Sequence, residues 1–272
     1  MRAEAREPVF TTVYGGHGYA AGELIRLLAG HPTLRLGAVA SSSQAGRPVV
    51  EAFPHLAGAV DDALRFVGAD DVPALLRGRG RAAAFFATPH GATAPLVAEA
   101  LRRAAEVDCA LRCVDLSADF RFPDAEAYRA VYGAPHGAPQ LIPEFTCAPP
   151  DLRPGRPPAH AVQPGCFTTC VVLAAAPFLA AGIVEPDVFA SAITGSSGSG
   201  ATPAANTHHP ERRSNLYAYG PLVHRHEPEM RRLLAEAAGG APIHVDFVPH
   251  SGPFVRGIHA TVRMRLVRDV AA

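Results

Sequence analysis

The chain has 272 residues, 48% of them hydrophobic, and 25 basic residues balanced by 25 acidic ones. Zero net charge offers no electrostatic grip on nucleic acid or an anionic membrane, and no apolar run is long and clean enough to span a bilayer. Every basic residue is arginine, which excludes Schiff-base lysine chemistry and a lysine-dependent phosphate loop.

The length suits one large domain or two modest ones. Five cysteines, at 109, 113, 147, 166 and 170, make an odd set. The charged opening Met1–Pro8 runs into a strand with no signal peptide ahead of it, so a reducing cytoplasm is expected. Cys109/Cys113 and Cys166/Cys170 each enclose three residues. The first pair flanks a strand-like run and the second lies one helical turn apart, so neither reads as a zinc knuckle.

Val9–Tyr14 reads as a strand, followed by the turn Gly15-Gly16-His17-Gly18-Tyr19-Ala20 and a helical run from Glu23. Strand, glycine turn and helix N-terminus are the setting in which backbone approaches a pyrophosphate. The spacing is G-x-x-G-x-x-A instead of the usual G-x-G-x-x-G, and a plain tight turn is the competing reading. Leu34–Ala40 is the second strand, ending in Ser41-Ser42-Ser43 with Arg47 close behind. No carboxylate precedes Glu51, so hydroxyls and a guanidinium face the ribose position; that favours NADP, against an ordinary polar loop.

Ala82–Ala87 and Leu111–Leu116 are buried-strand runs separated by a helix over Thr93–Ala105. Their ends carry Thr88-Pro89-His90-Gly91 and Ser117-Ala118-Asp119-Phe120-Arg121. This alternation predicts an α/β fold, a Rossmann-type doubly wound parallel sheet with ligands at the carboxyl ends of its strands. Dense proline and glycine from Ala134 to Pro164 reads as an inter-domain crossing. The expected division is a dinucleotide-binding domain over 1–160 and a second α+β catalytic and dimerisation domain over 161–272.

Pro164-Gly165 delivers Cys166 to the first turn of an apolar helix. Unpaired N–H groups and the helix dipole there favour a thiolate, the nucleophilic form, although a cysteine so placed also serves as a small core residue. Val188–Thr194 leads into Gly195-Ser196-Ser197-Gly198-Ser199-Gly200, a loop able to offer N–H donors to an anion or to act as a linker. His224-Arg225-His226-Glu227-Pro228-Glu229 opens a helix running to Ala238, and its His-x-His-x-x-Glu pattern invites a metal reading. Pro228 and the extended approach spoil that geometry, so no metal is expected. Strands are expected at Ile243–Val248 and Gly257–Leu266, with Arg256 entering the second.

In this order the motifs resemble the N-acetyl-γ-glutamyl-phosphate reductase family, the arginine-pathway branch of the aspartate-semialdehyde dehydrogenase superfamily. Pro164-Gly165-Cys166-Phe167 and Leu116-Ser117-Ala118-Asp119-Phe120-Arg121 are its most specific carriers. Gly15–Leu24, Phe53–Leu56, Pro89–Gly91, Pro143-Glu144, Gly195–Gly200, His224–His226 and Arg256–Ile258 accompany them. The resemblance implies an NADP(H)-dependent reductase of a small acyl phosphate, acting as a homo-oligomer without nucleic acid or membrane. Cys166 would be the nucleophile and His224 the acid/base, with His226 as fallback. Gly15, Gly16, His17, Gly18, Tyr19, Ala20, Ser41, Ser42, Arg47, Pro89, His90, Ser197 and Gly198 would hold the cofactor. Ser196, His226, Arg256 and Arg121 would meet the substrate, Arg121 being equally readable as a structural ion-pair partner.

Two departures open alternatives. Ala201 stands where arginine-pathway members carry arginine, and His208-His209-Pro210-Glu211-Arg212 is closer to the lysine-pathway relative, which acts on an aminoadipyl phosphate held by an acidic carrier protein. Family members also continue past Arg256-Gly257-Ile258 for longer than this chain does, so a C-terminally short and inactive member is a further expectation.

Overall fold

A computed structural model describes residues 7–15, 17–153, 155 and 158–267. The chain divides into two compact units, one of residues 1–129, 134–146 and 158–163 and the other of 130–133, 147–157 and 164–272.

In the first unit, β1 (Val9–Tyr14), α1 (Tyr19–Ala29), β2 (Leu34–Ala40), α2 (Val49–Ala52), β3 (Phe66–Val67), α3 (Val72–Leu76), β4 (Arg81–Phe86), α4 (Thr93–Ala105) and β5 (Ala110–Asp115) follow in sequence. Next come α5 (Ala125–Tyr132), β6 (Phe145–Cys147) and β7 (His160–Val162). The described strands form a seven-stranded sheet in the order β3-β2-β1-β4-β5-β7-β6. Every pairing from β3 through β7 is parallel. Strand order therefore reverses direction beside β1, leaving a crevice between the carboxyl ends of β1 and β4, the standard ligand position of such sheets. Helix α1 turns Ala21, Ile25 and Leu28 inward onto Val13, Val39, Phe53 and Phe66, while Glu23 and Arg26 pair on its wet side.

The proline-rich stretch expected to be a plain crossing contributes β6 and β7 to this sheet. Each is three residues long, too short for an alternating pattern to declare itself.

The second unit contains α6 (Cys166–Ala180), β8 (Val184–Thr194), α7 (His209–Arg212), β9 (Tyr217–Ala218), α8 (Glu227–Ala237), β10 (His244–Ser251) and β11 (Ile258–Leu266). Its four strands lie in the order β11-β8-β10-β9. Strands β8 and β10 are parallel, and β11 and β9 pair antiparallel on the two flanks. Helix α6 buries Phe167, Val171, Val172, Ala175, Ala176 and Leu179, and it packs on α8 and the sheet. Strand β8 begins earlier than the sequence suggests because Pro186, which has no N–H to donate, interrupts the apolar pattern inside it.

Candidate active site

Cys166 is the first residue of α6 and is exposed. Gly165 precedes it in extended conformation, no side chain caps the helix, and no acidic residue occupies its first turn. The positive end of the helix dipole therefore faces Cys166, with one carboxylate, that of Glu229, at the preceding amide. The turn itself is held from below. Glu229 of α8 is fully buried, and its Oε1 accepts the Gly165 N–H at 2.7 Å. A Cβ on residue 165 would stand 2.5 Å from Nε2 of His226, so glycine is needed for the imidazole to lie against this turn.

The loop before α8 brings His224 to the same place. Tyr219 N–H and Leu222 N–H donate to the carbonyls of Pro249 and Phe247, tying the loop to β10. The His224 ring sits edge-on to Phe167, Tyr219 and His226, and its Nδ1 accepts the His226 N–H at 3.2 Å. That bond assigns the neutral ring's proton to Nε2. Burial, and then the Arg225 guanidinium, push the His224 pKa down to about 4, so the imidazole is neutral near pH 7. Burial and the neighbouring Cys166 push the Tyr219 phenol up to about 12.

A cavity of about 490 Å³ joins these groups; Cys166, Thr194, Gly198, Tyr219, His224 and Ser251 are among its lining residues. Thr194 and Ser251 are register partners at the carboxyl ends of the parallel strands β8 and β10. A cysteine at a helix N-terminus, the parallel strand ends and a neutral imidazole thus share one wall system.

Of the sequence candidates, Cys166, His224, His226 and Gly198 line the cavity, whereas Ser196, Ser197 and Arg256 do not. The expectation that the Gly195–Gly200 loop offers N–H donors is corrected. The amides of Gly195, Ser196 and Ser197 donate to the carbonyls of Gly257, Phe254 and Val255, and those of Gly198 and Gly200 close the loop on itself. Gly195 is required because a Cβ there would stand 2.8 Å from backbone atoms of Val255 and Arg256. His226 is buried against Gly165, so it positions the turn.

In the first unit, Gly15 turns the chain at the end of β1 with φ +79°, and a Cβ there would meet the Ala87 carbonyl oxygen at 2.6 Å. Gly18 is the N-cap of α1, with no side-chain cap and open space where a Cβ would stand. His17, Tyr19 and Ala20 lie beside it, exposed, while Gly16 lies outside the described residues. At the end of β2, Ser41 is buried and Ser42 exposed, and Arg47 reaches Gln44 and Glu51. Pro89 and His90 follow β4 and are exposed; His90 Nδ1 accepts the Ala118 N–H at 2.9 Å. Asp119 accepts the N–H groups of Gly91 and Ala94 and so fastens the start of α4. Arg121 is buried and donates to the carbonyls of Gln163 and Leu116, which favours the structural side of its two readings.

Sequence reasoning missed Glu229, Tyr219, Thr194 and Ser251. Glu229 carried one signal, since it falls in phase with the buried positions Met230, Leu233 and Leu234 of α8. Tyr217 and Tyr219 carried another, spaced two apart before the histidines; Thr194 and Ser251 had none.

Comparison with known proteins gives matches along almost the whole chain. Residues 11–145 match the model of the semialdehyde dehydrogenase NAD binding domain, and residues 166–272 that of the semialdehyde dehydrogenase dimerisation domain. The N-acetyl-gamma-glutamyl-phosphate reductase of Aromatoleum aromaticum is 40% identical over 262 residues, covering 95% of this chain and 72% of the relative. That of Pseudomonas paraeruginosa is 39% identical over 253 residues, covering 92% and 70%. Among solved structures, the aspartate semialdehyde dehydrogenase with NADP from Candida albicans superposes with a TM-score of 0.65 at 14% identity, covering 98% of this chain and 74% of that one. At that identity the superposition speaks for the fold alone.

Proposed function

The chain belongs to the N-acetyl-gamma-glutamyl-phosphate reductase family, and on that footing we propose that Cys166 is the nucleophile of its reaction, with His224 beside it. The reaction is the NADPH-dependent reduction of N-acetylglutamyl 5-phosphate to N-acetylglutamate 5-semialdehyde with release of phosphate, a step of arginine biosynthesis. The comparisons do not favour the carrier-linked aminoadipyl alternative. A homo-oligomer is supported by the match of residues 166–272 to a dimerisation domain. Among the described residues no helix is long and apolar enough to cross a membrane, and a reducing cytoplasm is the setting that keeps Cys166 a thiol.

The observation that carries the assignment is the convergence of Cys166 and His224 on one cavity, at a helix N-terminus without a side-chain cap. The helix end stabilises the Cys166 thiolate, whose sulfur adds to the acyl carbon while phosphate departs with the electron pair of the C–O bond. When bound, NADPH would supply the hydride for the resulting thioester carbon. Expulsion of the Cys166 thiolate then releases the aldehyde. His224 is neutral and carries its proton at Nε2, so it donates a hydrogen bond to the substrate oxygen where negative charge develops.

The residues of the first unit fit the cofactor. Gly18 leaves room at the α1 N-terminus that a side chain would fill, and no acidic residue stands in that first turn to repel a pyrophosphate. In this reading Gly15, Gly16, His17, Gly18, Tyr19 and Ala20 cradle the pyrophosphate. Ser41, Ser42 and Arg47 take the 2′-phosphate, and Pro89 and His90 complete the part of the site that lies in this unit.

Phosphate-dependent reduction of NADP by N-acetylglutamate 5-semialdehyde tests the reading in the reverse direction. Cys166→Ser is expected to lower kcat by about 10³-fold or more, and a variant with near-native turnover removes the covalent step.

A further inference from the structure

The wall of the Cys166 cavity holds one side chain of fixed charge that the mechanism above does not use. Arg225 lines the cavity together with Cys166 and His224, and it is exposed. Among the described residues lining that cavity there is no other arginine, no lysine and no carboxylate. No carboxylate of the described residues pairs with Arg225. A guanidinium fork matches a carboxylate or a phosphoryl group and keeps its charge at every working pH.

The root of this side chain is clamped on both sides. His224 packs its ring edge-on against Phe167, Tyr219 and Phe247. His226 is buried against Gly165, and the Glu227 N–H donates to the His224 carbonyl at 2.9 Å. The guanidinium carbon stands 5.9 Å over the Tyr132 ring, within cation–π range. Its charge also reaches the cavity wall. After burial it is the cause that holds the His224 imidazole down, and it opposes burial and Cys166 at the Tyr219 phenol. The proposed substrate is anionic at both ends, through its carboxylate and its phosphoryl group.

We propose that Arg225 is the anion-binding residue of the Cys166 cavity, taking an oxyanion of the substrate on the one guanidinium of that wall. The assignment rests on the reductase reading for the identity of the substrate, and on geometry for the residue. Its clamped backbone and the Tyr132 ring restrict the side chain before the ligand arrives, so little ordering is needed on binding.

Steady-state kinetics of Arg225→Gln and Arg225→Lys decide it, read as phosphate-dependent oxidation of N-acetylglutamate 5-semialdehyde. Losing the charge-assisted hydrogen bond in Arg225→Gln is expected to raise one KM by about 10- to 100-fold, with a smaller change in kcat. Arg225→Lys keeps the charge without the fork, so its KM should fall between those of Arg225→Gln and wild type. A rise confined to the semialdehyde assigns the carboxylate, and one confined to inorganic phosphate assigns the phosphoryl group. Unchanged KM values for both, in a variant with native thermal stability, overturn the proposal. A lower kcat with both KM values unchanged means that Arg225 acts only through the His224 imidazole, and overturns it too. Should Arg225→Gln fail to fold, Arg225→Lys is read in the same way. Binding separates this proposal from the reductase reading. If the wild-type chain shows no Cys166-dependent turnover, that reading fails. A rise in wild-type Tm with inorganic phosphate or N-acetylglutamate that is lost in Arg225→Gln still supports the Arg225 site. No such rise, or one that the variant retains, overturns it.

Discussion

A single buried carboxylate sets where Cys166 stands. Glu229 accepts the Gly165 N–H from a helix 64 residues further along the chain, and so locks the turn that presents Cys166. Glu229→Leu leaves that N–H buried without an acceptor, which costs about 1–3 kcal/mol. Thermal unfolding should show the loss, and kcat should fall with it because the sulfur is no longer held in line. Glu229→Gln retains an acceptor oxygen, so both quantities should stay much closer to wild type. Equal losses in the two variants would mean that charge, not the hydrogen bond, is what the turn needs.

At the scale of elements, the β1–α1 turn holds one glycine that the backbone requires and one with open space beside it. Gly15→Ala forces a side chain into the left-handed region at φ +79° and places its Cβ 2.6 Å from a backbone oxygen. At least about 1–2 kcal/mol of stability should be lost. Gly18→Ala meets nothing within 4 Å, so its Tm should hold while NADPH affinity, followed by fluorescence titration, falls. If Gly18→Ala binds NADPH normally, the pyrophosphate does not approach this helix end.

For the whole molecule, two buried titrations oppose each other below neutral pH. The unfolded chain protonates His224 below its ordinary 6.5, whereas the folded chain does so only near pH 4. Across that window the unfolded state binds the extra proton, so this group's contribution to stability is lost as the pH falls. Asp115 behaves in the opposite sense, because burial lifts its pKa to about 6 from an ordinary 3.8. Between those values the folded state holds the extra proton, and stability falls as the pH rises. Tm measured from pH 4.5 to 7.5 should therefore lose less on acidification in His224→Asn than in wild type. An unaltered acid slope in that variant would show that His224 titrates normally.

The family, the parallel nucleotide-binding sheet and the placing of Cys166 at the start of a helix were legible in the sequence because each rests on local pattern. A strand of β-branched residues, a glycine turn and Pro-Gly-Cys before an apolar helix declare themselves within a few neighbouring positions. The three-residue strands β6 and β7 fall below the length at which alternation can be seen, and only pairing with an existing sheet makes them strands. The division of labour between the two histidines was likewise a tertiary decision. His224 and His226 are two residues apart and chemically identical, and both line the cavity, yet His224 is half-buried while His226 is buried and packed against Gly165. The same holds for the glycine loop, whose amides bond to residues 254–257 and within the loop itself, and for Glu229, whose burial depends on segments distant in sequence. Composition and spacing determine which chemistry a chain can carry. Burial and hydrogen-bond satisfaction, which depend on long-range packing, decide which of the eligible side chains carries it.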